Sequence, residues 1–171
     1  MKYLVKRAQE NDADAFVELM EMHKESMYKM ARSYLKNDAD AADAMQETVL
    51  KCFEKIHTLR HAKFFKTWMI RILINNCKDI LRKGSNLSSF EENQGIELVA
   101  PAENLAEFLQ LLESIDEKYR TVIILYYVEG YKIKEIADIL EVSKNTVSSQ
   151  LRRGRLKLKR ELETERSGVW G

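Results

Sequence analysis

Hydrophobic residues recur at intervals of three and four along most of this chain, the spacing that places side chains on one face of an α-helix. Between Ala13 and Leu35 the pattern predicts one long amphipathic helix. Its stripe consists of Phe16, Leu19, Met20, His23, Met27, Met30, Ala31 and Tyr34. The turn and cap residues of KNDAD interrupt the pattern, and a second helix is predicted from Asp40 to about Ile56. The residues of this helix expected in the core are Ala42, Met45, Val49, Cys52, Phe53 and Ile56.

A third helix is predicted over FKTWMIRILINNCKDILRK, where apolar side chains run most of the way around the helix. Those expected to pack on the first two helices are Met69, Ile70, Ile72, Leu73, Ile74, Cys77, Ile80 and Leu81. One narrow stripe differs, because steps of three and four bring together an aromatic, three cations and an amide. This stripe consists of Trp68, Arg71, Asn75, Lys78 and Arg82. Such a line of side chains indicates a surface that contacts a specific partner.

The helical pattern is lost between Gly84 and Asn104. This stretch holds the only proline of the chain, two glycines and a run of Ser, Asn and Glu. We therefore predict a flexible linker over residues 84–104, between a first helical domain at 1–83 and a second at 105–165.

The second domain resumes with helical patterns over residues 105–115 and in DEKYRTVIILYYVEG, which Gly130 ends. A helix–turn–helix layout follows. Its inward-facing positions are Ile133, Ile136, Ala137, Leu140, Val147 and Leu151. Ser143 is a good N-cap for the second helix. Glu141 stands at the turn where glycine is common, and a left-handed backbone there costs a non-glycine residue about 1 kcal/mol.

The second helix of this motif is strongly basic, with seven Lys and Arg residues and no acidic residue from Lys144 to Arg160. The N-terminal part of such a helix lies against base edges in the major groove, so polar residues followed by arginines are in the right order. The candidate DNA contacts are Lys144, Thr146, Ser148, Ser149, Arg152, Arg153 and Arg155. The alternative is a solvated basic face on an ordinary helical hairpin.

Composition supports a helical protein, since the 171 residues include only six glycines and one proline. The 28 basic and 27 acidic residues nearly cancel, so any attraction to a polyanion must come from local clusters. Cys52 and Cys77 lie in apolar stripes without metal-site spacing and are expected to be buried, reduced thiols.

No chemistry of its own is visible in the chain. The three histidines lack a paired acid or nucleophile at motif spacing, and there is no Gly-rich phosphate loop. We expect no cofactor, no metal and no catalytic residue. The chain also lacks a signal peptide and any apolar segment of about 18 residues. It is therefore expected to be soluble and cytoplasmic, without membrane insertion.

Three segments, in this order, resemble the extracytoplasmic-function sigma factors of bacteria: DAADAMQETVLKCFEKI, FKTWMIRILINNCKDILRK and the helix–turn–helix. The resemblance covers nearly the whole chain. It implies an all-α fold of two small helical domains, a sigma-2 bundle and a sigma-4 helix–turn–helix. It also implies an alternative sigma factor that binds core RNA polymerase and recognises the −10 and −35 promoter elements. Such a chain is the specificity subunit, and the polymerase is the enzyme.

In that family the helix with a D-x-x-Q-E pattern docks on the clamp helices of the polymerase beta-prime subunit. Asp43, Gln46 and Glu47 reproduce the pattern here. Together with Leu50 they are predicted to face outward, opposite the stripe expected in the core. Polar residues beside an exposed apolar residue are typical of a protein-binding patch. The alternative for this helix taken alone is an ordinary solvated acidic face.

The resemblance assigns the stripe of the third helix to the −10 element, where the duplex must open. Bases can be read on their Watson–Crick edges once unstacked, and aromatics and arginines offer stacking platforms worth about 1 to 3 kcal/mol per base. Asn75 is the candidate base reader because its amide can donate and accept. The candidate phosphate contacts are Arg71, Lys78 and Arg82. Trp68 fits a half-buried core position and a DNA contact equally well.

The basic helix of the second domain is assigned to the −35 element. Family members often carry a basic residue where Ser148 stands, and RAR where this chain has RGR. Gly154 is expected to weaken the helix by roughly 1 kcal/mol relative to alanine. These departures leave the preferred −35 sequence open, while Arg153 and Arg155 keep the phosphate contacts.

Two further partners are implied by the resemblance, the polymerase beta flap and a dedicated anti-sigma factor.

Two other classes of protein are possible. A self-sufficient helix–turn–helix regulator should show a ligand-pocket signature or a long apolar dimer face, and neither is evident. A helical adaptor without a DNA role leaves the basic helix unexplained. We therefore favour the sigma factor.

Overall fold

The computed structural model describes residues 1–84 and 103–168. The chain divides into two compact units, Met1–Leu98 and Val99–Gly171. All regular elements of the described residues are helical, so the predicted all-α fold of two helical domains is confirmed. The predicted linker, 84–104, falls largely outside the described residues and stays a prediction. No helix in the described ranges has the length and apolar character needed to cross a bilayer.

The first unit contains five helices and two short 3₁₀ turns within its described part. These elements are α1 (Lys2–Gln9), α2 (Ala13–Glu21), α3 (Lys24–Tyr34), α4 (Asp38–Lys55), the turns Ile56–Thr58 and Ala62–Phe64, and α5 (Phe65–Gly84). Side-chain caps begin two of the helices, as the sequence favours at these positions. Asp12 Oδ1 accepts from the backbone N–H of Ala15 at 3.0 Å, and Asn37 Oδ1 accepts from that of Asp40 at 2.8 Å.

The prediction of one helix from Ala13 to Leu35 is wrong, because α2 and α3 are separated at Met22 and His23. The backbone N–H of His23 bonds to Met20 O at 3.0 Å, three residues back instead of four, with φ −110° and ψ 1°. The predicted stripe is nevertheless buried along its whole length. Because the apolar spacing continues through the break, periodicity gave no sign of it.

Of the six residues expected in the core from this part of the chain, only Cys52 and Ile56 are buried, because α4 turns a neighbouring face inward. Its buried residues are Ala41, Ala44, Thr48 and Cys52. The predicted core residues Ala42, Met45 and Val49 are only half-buried, and Phe53 is 58% exposed. The true stripe is offset by one residue, or about 100° around the helix. Small side chains allow α4 to lie close to α3 and α5, and this close approach leaves the larger apolar residues outside.

Helix α5 fills the centre of the first unit. Its buried residues are Phe65, Met69, Ile70, Leu73, Ile74, Asn76 and Cys77. Ile72 and Ile80 are half-buried, and the predicted packing of Leu81 is wrong because this side chain is 37% exposed. Every residue from Leu81 to Gly84 is exposed, so the last turn of α5 projects beyond the bundle.

Both cysteines are buried, free thiols, as predicted. Burial raises the pKa of Cys52 to about 12, so its thiol stays protonated at neutral pH. The side chain therefore acts as a small apolar core residue.

The second unit contains α6 (Glu103–Glu113), α7 (Glu117–Ile123), a π-helical turn (Ile124–Val128), α8 (Ile133–Leu140) and α9 (Lys144–Gly168). Gly130 follows the π turn with a φ of 71°, as expected for the residue that ends this segment. Within this turn Ile124 and Leu125 are buried. Tyr126 and Tyr127 are exposed and form an edge-to-face pair with ring centroids 4.9 Å apart.

The predicted helix–turn–helix is confirmed, although Ile133 and Leu140 are only half-buried and Ile139 is buried in addition. Glu141 ends α8 with a left-handed backbone, φ 57° and ψ 41°. Ser143 Oγ accepts from the backbone N–H of Thr146 at 3.0 Å and caps α9. Val147 and Leu151 are buried and pack toward the preceding helices.

Gly154 has a packing role that the sequence did not reveal. It is buried where α9 crosses α7. A Cβ atom at this position would lie 2.9 Å from Cδ1 of Ile123 and 3.3 Å from Cβ of Tyr119. The missing side chain therefore allows the close approach of the two helices.

Candidate functional site

The outer face of α4 presents the four residues predicted to contact a protein partner. Asp43, Gln46, Glu47 and Leu50 are all exposed. They stand at steps of three and four and therefore share one face of the helix. Leu50 is 60% exposed, which is unusual for a leucine in the middle of an 18-residue helix and leaves apolar area beside the polar groups.

An apolar groove adjoins this face. It is lined by Met20, Glu21, Lys24, Met27, Ala42, Met45, Gln46, Val49 and Leu50. The polar residues do lie opposite a buried stripe, as expected, but the residues of that stripe are Ala41, Ala44 and Thr48. The residues expected there, Ala42, Met45 and Val49, are half-buried and line the groove beside Gln46 and Leu50. Polar and apolar side chains thus form one continuous surface.

A buried polar chain links α4 to α5 behind this surface. Asn76 Nδ2 donates to Thr48 Oγ1 at 2.9 Å, and Lys51 Nζ donates to Asn76 Oδ1 at 2.6 Å. Lys51 is also ion-paired with Glu47 at 3.2 Å. The carboxylate of Glu47 on the outer face is thereby connected to the core of the unit. Sequence reasoning missed Asn76, Thr48 and Lys51, because each is an ordinary polar residue until the two helices pack.

The predicted polar stripe of α5 is exposed along four of its five positions. Arg71, Asn75, Lys78 and Arg82 are all solvent-exposed. Arg82 is ion-paired with Asp79, one turn earlier on the same helix. The side chain of Asn75 points away from the core, in contrast with its buried neighbour Asn76. The stripe is a basic surface with one amide at its centre.

Trp68 lies between the core and the stripe. It is half-buried, and its ring centroid is 5.9 Å from that of the fully buried Phe65, with a tilt of 50°. This packing holds the indole in place while part of it remains at the surface. The half-buried position is therefore observed, and the DNA contact of Trp68 stays a prediction.

The predicted DNA-contacting residues of α9 divide into exposed and half-buried positions. The exposed ones are Lys144, Ser148, Arg152, Arg153 and Arg155. Thr146 and Ser149 are half-buried, and Thr146 Oγ1 lies 2.8 Å from Ser143 Oγ within the N-cap. Thr146 therefore also serves the start of the helix.

Two cations of α9 interact with α7 and the residue before it. Lys157 Nζ donates to Asp116 Oδ2 at 2.7 Å and lies 5.2 Å from the centroid of the Tyr119 ring. The Arg153 side chain hydrogen-bonds with the Tyr119 hydroxyl and lowers the pKa of that group. Lys157 thus has an internal acidic partner, whereas the guanidinium groups of Arg152 and Arg155 are exposed.

The groove beside α4 is a feature that sequence reasoning missed, because it assigned the groove-lining residues Ala42, Met45 and Val49 to the core. Two adjacent stripes of this helix satisfy the helical spacing, one of small residues and one of larger apolar residues. The signal that could have distinguished them is size, since Ala41 and Ala44 permit close helix packing. Large apolar residues left over on such a helix indicate a surface for a partner.

Comparison with known proteins gives matches to both units. Residues 19–86 match Sigma-70 region 2, and residues 105–158 match Sigma-70, region 4. The chain is 36% identical over 141 residues to RNA polymerase sigma factor SigV of Bacillus subtilis, covering 81% of this chain and 84% of that protein. It is 27% identical over 180 residues to ECF RNA polymerase sigma factor SigW of the same organism, covering 95% and 96%.

Solved structures with the same fold include CnrH in complex with the cytosolic domain of CnrY. Its TM-score is 0.74 at 24% identity, covering 95% of this chain and 97% of that chain. The sigma factor RpoE in complex with the anti-sigma factor NepR from Bartonella quintana also has a TM-score of 0.74, at 23% identity and 86% and 96% coverage. At these identities the similarity concerns the fold.

Proposed function

Because the chain belongs to the extracytoplasmic-function group of the sigma-70 family, and is thus an alternative sigma factor directing promoter-specific transcription initiation, we propose which surfaces perform each step. The first unit binds core RNA polymerase and the opened −10 strand. The second unit binds the −35 element as duplex. The chain acts as a specificity subunit in the cytoplasm, where polymerase and promoters are found.

The proposed polymerase surface is the outer face of α4 with its groove. The observation that supports it best is that α4 keeps Met45, Val49 and Leu50 at the surface while burying alanines. An apolar groove with a polar rim is suited to a helical partner, since the apolar groups supply binding free energy and the rim fixes orientation. We assign the clamp helices of the beta-prime subunit to this groove, with Asp43, Gln46 and Glu47 at its rim.

The proposed −10 surface is the exposed stripe of α5. Arg71, Lys78 and Arg82 attract the phosphates of a single strand, and Asn75 among them offers a donor and an acceptor to one unstacked base. The partly exposed indole of Trp68 provides a stacking surface at one end of the stripe.

The proposed −35 surface is the first half of α9. Its N-terminal residues lie against base edges, and Ser148, Ser149 and Arg152 are the proposed readers. Arg153 and Arg155, with Lys144, contact phosphates. Thr146 contributes through the N-cap of α9 and through its position beside the major groove of the DNA.

Regulation by a protein partner is part of the proposal. CnrH and RpoE, which share the fold, were each solved in complex with a partner, and in the case of RpoE that partner is an anti-sigma factor. We propose that an anti-sigma factor binds this chain too, and that the beta flap is a second polymerase contact.

Reconstitution with sigma-free core polymerase tests the proposal. The purified chain should support initiation from a cognate promoter, and binding to core polymerase can be measured by fluorescence anisotropy of the labelled chain. Leu50→Ala should weaken this binding roughly tenfold, because central apolar anchors carry most of the affinity of an interface. Lys55→Ala, at an exposed position of α4 away from the outer face, is the matched control and should bind normally.

Tight binding of duplex DNA by the chain alone, without any binding of core polymerase, would indicate a self-sufficient repressor or activator. Equal losses for Leu50→Ala and Lys55→Ala would place the polymerase contact elsewhere in the first unit.

A further inference from the structure

Helix α1 precedes residue 19, where the match to Sigma-70 region 2 begins. It packs on α2 through the buried residues Leu4, Val5 and Ala8. Arg7 Nε donates to Asp12 Oδ2 at 2.8 Å and fixes the turn into α2. Helix α1 also contacts both 3₁₀ turns of the connection between α4 and α5. It is therefore positioned to act on that connection.

Gln9, the last residue of α1, makes the polar contacts to the connection. Its Nε2 donates to Ile56 O at 3.0 Å and to Leu59 O at 2.8 Å. These two carbonyl groups stand at the start of the connection, just beyond the end of α4. One side-chain amide thus uses both of its hydrogens to hold a backbone segment about fifty residues away in sequence.

The far end of the connection extends the stripe of α5. Phe64 stands four residues before Trp68 and is 47% exposed, so it continues the stripe by one turn. Lys63 Nζ lies 4.8 Å from the centroid of the Phe64 ring, and the ring of His61 meets it edge-on at 6.1 Å. The connection therefore carries exposed basic and aromatic groups next to the proposed −10 surface.

We propose that Gln9 is a positioning residue for promoter opening. By holding the carbonyl groups of Ile56 and Leu59 it fixes the connection against α1, and with it the groups around Phe64. The inference rests on the proposed −10 function of α5 and extends it to a residue in a helix outside the matched family region. Helix α1 thereby supports the proposed −10 surface.

The test measures promoter opening by holoenzyme containing full-length variants, followed by permanganate reactivity of −10 thymines. Gln9→Ala and the isosteric Gln9→Glu both lack the donor amide and should slow opening roughly tenfold. Gln9→Lys, which retains hydrogens to donate, should recover most of the rate. Affinity for core polymerase should stay at the wild-type value in all three variants.

Two exposed residues supply the controls, one in α1 and one directly after it. Lys6→Gln changes the net charge by the same amount as Gln9→Glu, and Glu10→Ala truncates the neighbouring side chain. Both should open the promoter at the wild-type rate. Hydrogen exchange in the free chain, which needs no DNA, should be faster at residues 56–64 in Gln9→Ala and unchanged in the controls.

Normal opening by Gln9→Ala would overturn the inference. So would wild-type behaviour of Gln9→Glu beside a defective Gln9→Ala, since that result would assign the effect to side-chain volume. A parallel loss of polymerase binding and thermal stability would make the role merely structural and would also overturn it. Failure of the wild-type chain to open any promoter would instead count against the proposed −10 function, while the hydrogen-exchange result would still report on Gln9 itself.

Discussion

Asn76 of α5 donates a hydrogen bond of 2.9 Å to the hydroxyl of Thr48 on α4, and both side chains are buried. Thr48 in turn donates to Ala44 O at 2.6 Å, and Lys51 donates to Asn76 Oδ1. Because buried polar groups are costly when unpaired, this chain of bonds selects one register of α4 on α5. The proposed polymerase and −10 surfaces are therefore carried by two helices in a fixed relationship.

Asn76→Ala should lower the free energy of unfolding by about 2 kcal/mol, because it removes the partner of Thr48 and Lys51 and leaves a small void. Urea denaturation followed by circular dichroism measures this change. Asn75→Ala is the matched control at an exposed position and should change stability by less than about 0.5 kcal/mol. Equal effects of the two substitutions would contradict the buried role of Asn76.

Asn75→Ala should impair promoter opening while leaving polymerase association intact. Loss of hydrogen bonds to one base should reduce initiation on duplex promoter by about tenfold to a hundredfold. Initiation in single-round transcription and affinity for core polymerase are to be measured in parallel. If both quantities fall together, the stripe of α5 serves the structure of the unit and not the DNA.

Gly154→Ala should destabilise the second unit by about 1 kcal/mol, although alanine favours helices. The new Cβ would lie 2.9 Å from Cδ1 of the buried Ile123. Ile123→Val removes that methyl group, so Gly154→Ala should be neutral or stabilising in the Ile123→Val background. Chemical denaturation of the wild type, the two single variants and the double variant completes a double-mutant cycle. A stabilised Gly154→Ala single variant would show that α7 adapts without cost.

Arg155 and Lys157 are both basic residues of α9 but should differ in their contribution to DNA binding. Arg155→Ala should weaken holoenzyme binding to promoter duplex and reduce the slope of log K against log salt by about 1. Lys157→Ala should leave the slope nearly unchanged, because its ammonium group is ion-paired with Asp116 at 2.7 Å. Titrations at several salt concentrations distinguish the two. A larger slope change for Lys157→Ala would mean that the ion pair opens on DNA.

The ion pair of Asp116 and Lys157 should make stability depend on pH in acid. The hydrogen bond from Lys157 lowers the pKa of Asp116 from its ordinary value of 3.8. A lowered carboxyl pKa contributes stability that is fully present above the unfolded value and is lost as pH falls through the folded value. The difference in thermal midpoint between wild type and Asp116→Asn should therefore be constant near neutrality and shrink below about pH 4.

Asp138→Asn, at an exposed position of α8, changes the net charge equally and is the control for this titration. A difference between wild type and Asp116→Asn that stays constant down to the lowest pH would show that the pair does not stabilise the fold.

Local patterns in the sequence were sufficient where the relevant interactions are local. The order of the main helices, the Ser143 cap and the left-handed turn at Glu141 depend on neighbouring residues, and all agree with the structure. The exposed stripe of α5 follows from helical spacing alone. The family assignment also came from short segments whose residues and spacing are preserved in the chain.

Tertiary packing decided which of two equally spaced stripes of α4 is buried. The stripe of small residues faces the core because only small side chains fit where helices pack closely. It also decided that Asn75 is exposed and Asn76 is buried, a distinction between identical neighbours that depends on Thr48 lying opposite. The packing role of Gly154 depends on Ile123, about thirty residues earlier. The hydrogen bonds of Gln9 depend on carbonyl groups about fifty residues later. Sequence by itself determined most of the helical segments and the family, since these depend on spacing within a few turns. Only the tertiary structure determined the surfaces and their supports, since these require residues that are distant along the chain to meet.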